Sequence, residues 1–453
     1  MHFPLEITPQ ERLARAIANS EMPKYVYGYP PKRAFRPLDP PRTVAEVWAD
    51  AQGPINLYIH IPFCGYRCSF CTLFLTTSQT PKMVQAYIDA LIRQIATHGK
   101  RLGHMKVVSL YIGGGTPTVL TPDQLESVFL ALHEAFPRWE DGAEVGMEGS
   151  PDTMRPELLA RAAQLGVNRI SMGLQSLEPA EQARAGRRYA PEQVNTAVDA
   201  IDACAFENVN YDLIYGLEGQ TRESWLRSLD TTIGFAPQTI TLYPVVVRPL
   251  TALNKRVNLP QAQFMSNAEK YEIYDTSVAT LLEHGYIQNS FVRFSRCEND
   301  GLRQEAADFS GVPVLGLGAG SRSATRTLHY GSDFAVRRHE SLDIIEGFIA
   351  HEHRIDAPVG IGFELNQDEE RRRFCVLNLS LGSLDMGLYQ ERFGTTPEDD
   401  FKHELAALVS EGCCRRTPEG YRLTNQGFKY SNVIGDLFQS SAVTRLESTF
   451  IPR

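Results

Sequence analysis

The chain has 453 residues, of which 43% are apolar and 22% charged, with a formal net charge of −9. That length outgrows a single core, so two or three structural units are expected. No run of about eighteen apolar residues suggests a membrane span, and the acidic balance argues against a protein whose main task is gripping a phosphate backbone. With eight cysteines and no hydrophobic leader carrying a small-residue cleavage site, a disulfide framework is disfavoured and a reducing, cytoplasmic location is expected.

Residues 1–50 read as an N-terminal extension. From residue 51 short apolar β-type runs alternate with helical patterns, the signature of successive βα units around a parallel sheet. Strands are expected at Leu57 to Ile61, Val107 to Ile112, Glu144 to Glu148, Asn168 to Leu174, Val209 to Ile214 and Ile240 to Val246. Helices are expected at Lys82 to His98, Leu125 to Phe136, Pro156 to Leu165 and Pro191 to Ala203. Thr121-Pro122-Asp123-Gln124 opens the second of these with an N-cap, a proline at the first helical position and a capping box. The six units predict an α/β fold, a partial (β/α)6 TIM-type barrel over residues 51–345.

Residues 346–453 read as a small C-terminal helical domain with a lid or docking role. Helices at about Glu369 to Leu379 and Glu398 to Ser410 precede a hairpin of Cys413 to Thr417 and Tyr421 to Thr424, a winged-helix-like pattern. Such a shape binds DNA in other proteins, but the acidic chain disfavours nucleic acid as a partner.

The chemistry is concentrated in Tyr58-Ile59-His60-Ile61-Pro62-Phe63-Cys64-Gly65-Tyr66-Arg67-Cys68-Ser69-Phe70-Cys71. Four thiolates usually saturate a [4Fe–4S] cluster, so Cys64, Cys68 and Cys71 would leave one iron open to a small molecule. A structural zinc site normally completes four ligands with a second Cys or His pair, and none follows at close range. Gly113-Gly114-Gly115-Thr116-Pro117-Thr118 follows the second strand, where glycines let backbone amides approach an anionic group. Glu148, Gln175 and Asp212 fall at or near the C-terminal ends of successive strands, the end at which barrels carry active sites.

Cys-x3-Cys-x2-Cys and GGGTPT together resemble the radical S-adenosylmethionine (SAM) superfamily, in the branch related to oxygen-independent coproporphyrinogen III oxidase. The resemblance spans roughly Tyr58 to Ser323, with a C-terminal domain of the same type. It implies a [4Fe–4S] cluster on Cys64, Cys68 and Cys71, and two SAM molecules. Tyr58, Gly114 and Glu148 match contacts to the first SAM. Phe70, Gly115, Thr116, Gln175, Arg187 and Asp212 match contacts to the second, with looser matches at Pro244 and Arg322. Arg187 would then pair with a carboxylate, and Asp212 with an ammonium group or ribose hydroxyls.

One departure stands out. The oxidases carry a further cysteine two residues after the third ligand, where this chain has Leu73. On that ground the pattern looks closest to class C radical SAM methyltransferases and cyclopropane-forming enzymes. The function expected is then radical transfer of a SAM-derived carbon to an sp2 carbon of a small-molecule substrate, with flavodoxin or ferredoxin as reductant. Porphyrin or haem chemistry, including haem-degrading radical methylation and coproporphyrinogen oxidation, is the alternative, as is a haem chaperone. The sequence identifies no catalytic acid or base.

Overall fold

The computed structural model describes residues 7–22, 28–297 and 303–451. The chain forms two compact units, one of residues 35–264 and 299–364, the other of residues 1–34, 265–298 and 365–450.

In the first unit six parallel strands follow one another in space as in sequence: Pro54–Ile61, Lys106–Gly114, Trp139–Gly149, Arg169–Gln175, Asn208–Tyr215 and Thr239–Pro244. All six expected strands are present, within a few residues of their expected ends. The third begins at Trp139, well before Glu144, and the sixth stops at Pro244, short of Val246. Helices Pro81–Leu102, Pro122–Ala135, Pro156–Gln164 and Pro191–Asp202 lie between them, and the Thr121–Gln124 capping box forms as expected.

Side chains alternate across each strand. One face carries Ile55, Leu57 and Ile59, Leu110 and Ile112, Ile170 and Met172, and Ile240 and Leu242, all at most 1% exposed. The face alternating with it carries polar residues or glycine on all six strands, including Asn56, Ser109, Arg169, Asn210 and Thr241. Interstrand hydrogen bonds join these polar residues, as from Ser109 Oγ to Asn56 Oδ1 at 2.6 Å and from Thr241 Oγ1 to Asn210 Oδ1 at 2.8 Å. Strand alternation therefore builds an apolar layer beneath the helices and a polar barrel interior.

Val314–Leu317 adds a seventh parallel strand against Pro54–Ile61. Antiparallel Arg322–Ala324, Leu328–Gly331, Ile361–Glu364 and Arg36–Pro37 extend the same sheet.

The units do not follow the expected divisions at 50/51 and 345/346. Residues 35–50 and 346–364 belong with the barrel sheet, through the pairing of Arg36 with Gly362 and of Pro37 with Ile361. Residues 265–298 belong with the C-terminal segment. Helix Asn267–Glu283 packs Tyr271 against Tyr430 with ring centroids 5.0 Å apart, and Asp275 pairs with Lys429 at 2.6 Å. The stretch from Gly285 to Ser323 is thus divided between the units.

The second unit has the winged-helix-like elements, with Ser383–Asp385 joining Cys414–Thr417 and Gly420–Leu423 in a three-stranded sheet. The helix expected from Glu398 to Ser410 is two, Pro397–Asp400 and Lys402–Ser410, because Phe401 leaves the helical region at φ −134°. Tyr29 and Ser440 both donate hydrogen bonds to the buried Glu369 carboxylate, tying the N-terminal segment to the C-terminal helices. Among the described residues no helix is long and apolar enough to cross a membrane.

Candidate functional site

The cysteine loop leaves the first strand at its C-terminal end and is held by backbone bonds. Cys64 N–H donates to Thr76 O at 3.1 Å, Thr76 N–H to Pro62 O at 2.7 Å, and Cys71 N–H to Cys68 O at 3.1 Å. Buried Phe63 and Phe74 anchor the loop on either side. Between them Cys64, Cys68 and Cys71 are partly exposed free thiols. Burial pushes the Cys71 thiol up to about 12, with Cys68 as a lesser cause. Burial likewise raises Cys68, opposed by the Arg187 guanidinium.

The glycine turn packs directly on this loop. Gly115 N–H donates to Ile61 O and Thr116 N–H to Phe63 O, both at 2.8 Å. A Cβ on Gly115 would fall 2.5 Å from Phe63 O, so only glycine permits the approach. Gly114 sits at φ +119°, outside the range of ordinary L residues. That geometry points its N–H at Glu148 Oε2, 3.2 Å away.

Glu148 is the electrostatic centre of the strand ends. Its Oε1 accepts from Tyr111 Oη at 3.1 Å. Burial first, and the Asp212 carboxylate second, raise its pKa to about 7. Burial also raises the Tyr58 and Tyr111 phenols, with Glu148 adding to the rise in both. Asp212 is held by Asn210 Nδ2 at 2.8 Å and by Ser171 Oγ at 3.2 Å. Gln175 ends the fourth strand at φ +69°, and its buried Oε1 has no hydrogen-bond partner.

Arg187 occupies the other side of the cysteine loop. It donates from Nε to Tyr189 Oη at 3.1 Å, from Nη2 to Gly173 O at 2.6 Å and Ser150 Oγ at 3.1 Å, and from Nη1 to Cys68 Sγ at 3.6 Å. Thr116 Oγ1 lies 3.1 Å from Cys64 Sγ.

The strand ends and the two loops thus bring together Tyr58, Gly114, Glu148 and Asp212 on one side, and the cysteines with Gly115, Thr116 and Arg187 on the other. Phe70 instead packs against the apolar cluster of Ile214, Leu217, Val245 and Leu253. Pro244 closes the sixth strand, and exposed Arg322 begins an added one, near enough to Tyr58 to favour its ionised form.

Sequence reasoning passed over Tyr111, Ser171 and Asn210, which position the carboxylates. It also passed over His60, whose Nε2 donates to Phe74 O at 2.9 Å while Nδ1 accepts from Tyr58 Oη at 3.0 Å. The recurrence of polar residues and glycine at alternate positions of all six strands was the signal that would have found them.

These residues fit an iron–sulfur cluster and SAM. Three thiols, Cys64, Cys68 and Cys71, share one loop at the mouth of the barrel. Three thiolates are the donor set that would hold a [4Fe–4S] cluster with one iron left open. The unpartnered Gln175 Oε1 and the raised Glu148 carboxyl are polar groups that a ligand would satisfy.

Comparison with known proteins agrees. Residues 58–232 match the model of the radical SAM superfamily. The oxygen-independent coproporphyrinogen III oxidase of Synechocystis sp. is 29% identical over 435 residues, covering 90% of each chain. The haem chaperone HemW of Bacillus subtilis is 25% identical over 395 residues, covering 84% of this chain and 98% of its own. The structure of coproporphyrinogen III oxidase from Escherichia coli superposes with a TM-score of 0.76 at 24% identity, covering 92% of this chain and 97% of that one.

The likeness of residues 58–232 is thus to the radical SAM superfamily, for which a [4Fe–4S] cluster and SAM are the implied cofactors. Over most of its length the chain is similar to a coproporphyrinogen III oxidase and to the haem chaperone HemW, and it shares the fold of the former.

This corrects the expected activity. A class C methyltransferase or cyclopropane-forming enzyme was inferred from Leu73 standing where the oxidases carry cysteine. The likeness to oxidase and chaperone extends over most of the chain, and one loop position does not outweigh it.

Proposed function

We propose that this protein is a radical SAM enzyme of tetrapyrrole chemistry, acting on coproporphyrinogen III or a closely similar macrocycle. The breadth of the likeness carries the reading. The Synechocystis oxidase aligns over 90% of both chains, far beyond the residues 58–232 that define the superfamily. HemW aligns over 84% of this chain, so the oxidase accounts for more of it.

When bound, the cluster and SAM supply a one-electron cleavage that yields a 5′-deoxyadenosyl radical. The protein's part is to hold, orient and charge the site. Cys64, Cys68 and Cys71 would hold the cluster through three of its irons. The Gly114 turn and Glu148 would meet SAM, and a cation beside Glu148 would favour its carboxylate form because nearby positive charge lowers a carboxyl pKa.

Asp212, oriented by Ser171 and Asn210, adds a second negative group, and Gln175 Oε1 offers a vacant acceptor. Two carboxylates and a free acceptor support a second SAM molecule at this end of the barrel. The electron comes from an external low-potential donor of the flavodoxin or ferredoxin kind, in a reducing compartment such as the cytoplasm.

A second reading, haem carriage, is favoured by Leu73. It is 50% exposed on the cluster loop, an apolar surface where the oxidases have a thiol. The deciding experiment incubates the reconstituted protein anaerobically with SAM, dithionite and coproporphyrinogen III and follows products by mass spectrometry. Oxidised macrocycle formed with SAM consumption is expected. No turnover, together with stoichiometric haem binding by absorbance, would replace the oxidase with the carrier.

A further inference from the structure

We propose that Arg256 is a positioning residue for the cysteine loop. It closes a ring of hydrogen bonds around Ser69, which lies between Cys68 and Cys71, and so fixes the spacing of those two cluster ligands. The proposal rests on the radical SAM reading of that loop.

Ser69 is buried, and both of its backbone groups are committed outside the loop. Its N–H donates to Ala185 O at 2.8 Å, just past helix Pro179–Arg184. Its carbonyl accepts from Leu253 N–H, also at 2.8 Å. Leu253 is the second residue of the short helix Ala252–Arg256, whose N-cap Thr251 accepts from Asn254 N–H at 3.1 Å. An N–H in the first turn of a helix has no acceptor within it, so that of Leu253 is available to the cysteine loop.

Arg256, the last residue of that helix, joins the two holders of Ser69. Its Nη1 donates to Arg184 O at 2.9 Å, one residue before Ala185, and its Nη2 pairs with Glu218 Oε2 at 2.8 Å in the turn after the fifth strand. Ser69, Ala185, Arg184, Arg256 and Leu253 thus form a closed circuit. Gly219 N–H donates to Gln263 O at 2.8 Å and draws the segment after the sixth strand against the same turn. Gly186, at φ +79°, lets its backbone come so near the cysteine loop that a Cβ there would meet Arg67 O at 3.5 Å and Ser69 N at 3.7 Å.

Cys64 is held by other contacts. Its N–H donates to Thr76 O and its carbonyl accepts from Gln79 Nε2, both at 3.1 Å. The ring therefore acts on Cys68 and Cys71 and spares Cys64. A loop left unfixed would have to be ordered when its thiolates take up a cluster, at a cost in backbone entropy that subtracts from binding. The Leu253 side chain adds an apolar anchor, in the cluster with Ile214, Leu217 and Val245 against which Phe70, also between the two cysteines, packs. The Arg256 side chain is 36% exposed, so replacing it leaves the barrel core intact.

The test alkylates the full-length apoprotein with iodoacetamide and follows each cysteine by mass spectrometry, with cluster loss from the reconstituted protein timed in a chelator as a second readout. Arg256→Met should raise the rates at Cys68 and Cys71 by about threefold to fivefold, as losing a partly exposed ion pair does to a local opening equilibrium. Cys64 should be unchanged, and cluster loss should quicken by a similar factor. Arg256→Lys, which keeps the charge with one ammonium group for two acceptors, should recover part of both effects. Glu218→Gln should raise both rates by less than Arg256→Met. Should Arg256→Met fail to fold, the other two variants decide the matter on the same pattern of cysteines.

Unchanged rates at Cys68 and Cys71 would overturn the proposal, as would an equal rise at all three cysteines, which a general loosening of the fold would give. A wild-type chain that loads no [4Fe–4S] cluster would instead overturn the radical SAM reading beneath it, with the alkylation pattern of the apoprotein still reporting on the ring.

Discussion

The floor and the mouth of the barrel are both polar, yet they treat polarity differently. At the floor, Glu144 pairs with Arg169 at 3.8 Å and accepts from the backbone N–H groups of Arg303 and Gln304, while Arg169 also reaches Thr239 Oγ1 at 3.3 Å. At the mouth, Gln175 sits at φ +69° with an unpartnered Oε1, and Glu148 holds its proton up to about pH 7. Buried polar groups that satisfy one another serve the fold, whereas strained, unsatisfied or titration-shifted ones mark a place prepared for a ligand.

The largest effect separating the two regions should come from the cysteines. Cys68→Ala should abolish the cluster absorbance and all SAM cleavage while leaving the thermal midpoint of the apoprotein within a few degrees of wild type. A collapse of the apoprotein would show that the mouth carries stability as well.

At the floor the expectation reverses. Arg169→Leu leaves the buried Glu144 carboxylate without its cation and should cost about 3–5 kcal/mol in denaturant unfolding. Cluster loading per folded molecule should be unchanged. Full stability in this variant would remove the ground for calling the floor structural.

Glu148 gives a pH signature. Its carboxyl titrates near 7 in the fold and near 4.5 in the unfolded chain, so the folded state binds more protons between those values. The stability due to that proton is complete below about pH 4.5 and is lost as pH rises through 7. Wild type should lose up to about 3 kcal/mol more than Glu148→Gln between pH 5 and pH 8. SAM affinity should tighten over the same interval in wild type alone. Parallel pH profiles for the two proteins would sink the assignment.

The smallest effect is at Gln175. Replacement by glycine relieves the left-handed backbone and should stabilise the chain by up to about 1 kcal/mol while weakening SAM binding. A variant both less stable and fully able to bind would make Gln175 a floor-type residue at the mouth.

The fold was legible wherever signals were local. Thr121 to Gln124 encodes its helix start within four residues, and each barrel strand is a short apolar run between turn signals. Val314–Leu317 escaped notice because its strand character comes from pairing with Pro54–Ile61, more than 250 residues earlier. The allocation of residues 265–298 to the C-terminal unit was hidden for the same reason, since the contacts of Tyr271 and Asp275 are with Tyr430 and Lys429.

By itself, the sequence determined the likeness to the radical SAM superfamily and the order of the barrel strands, because cysteine spacing, glycine turns and apolar period are written over short stretches. Only the tertiary structure decided what Arg187 and Thr116 touch, which carboxylate holds a proton, and which polar residues are spent on one another. Those properties arise from hydrogen-bond geometry and burial between segments distant in the chain, and neither has a period that a single strand can display.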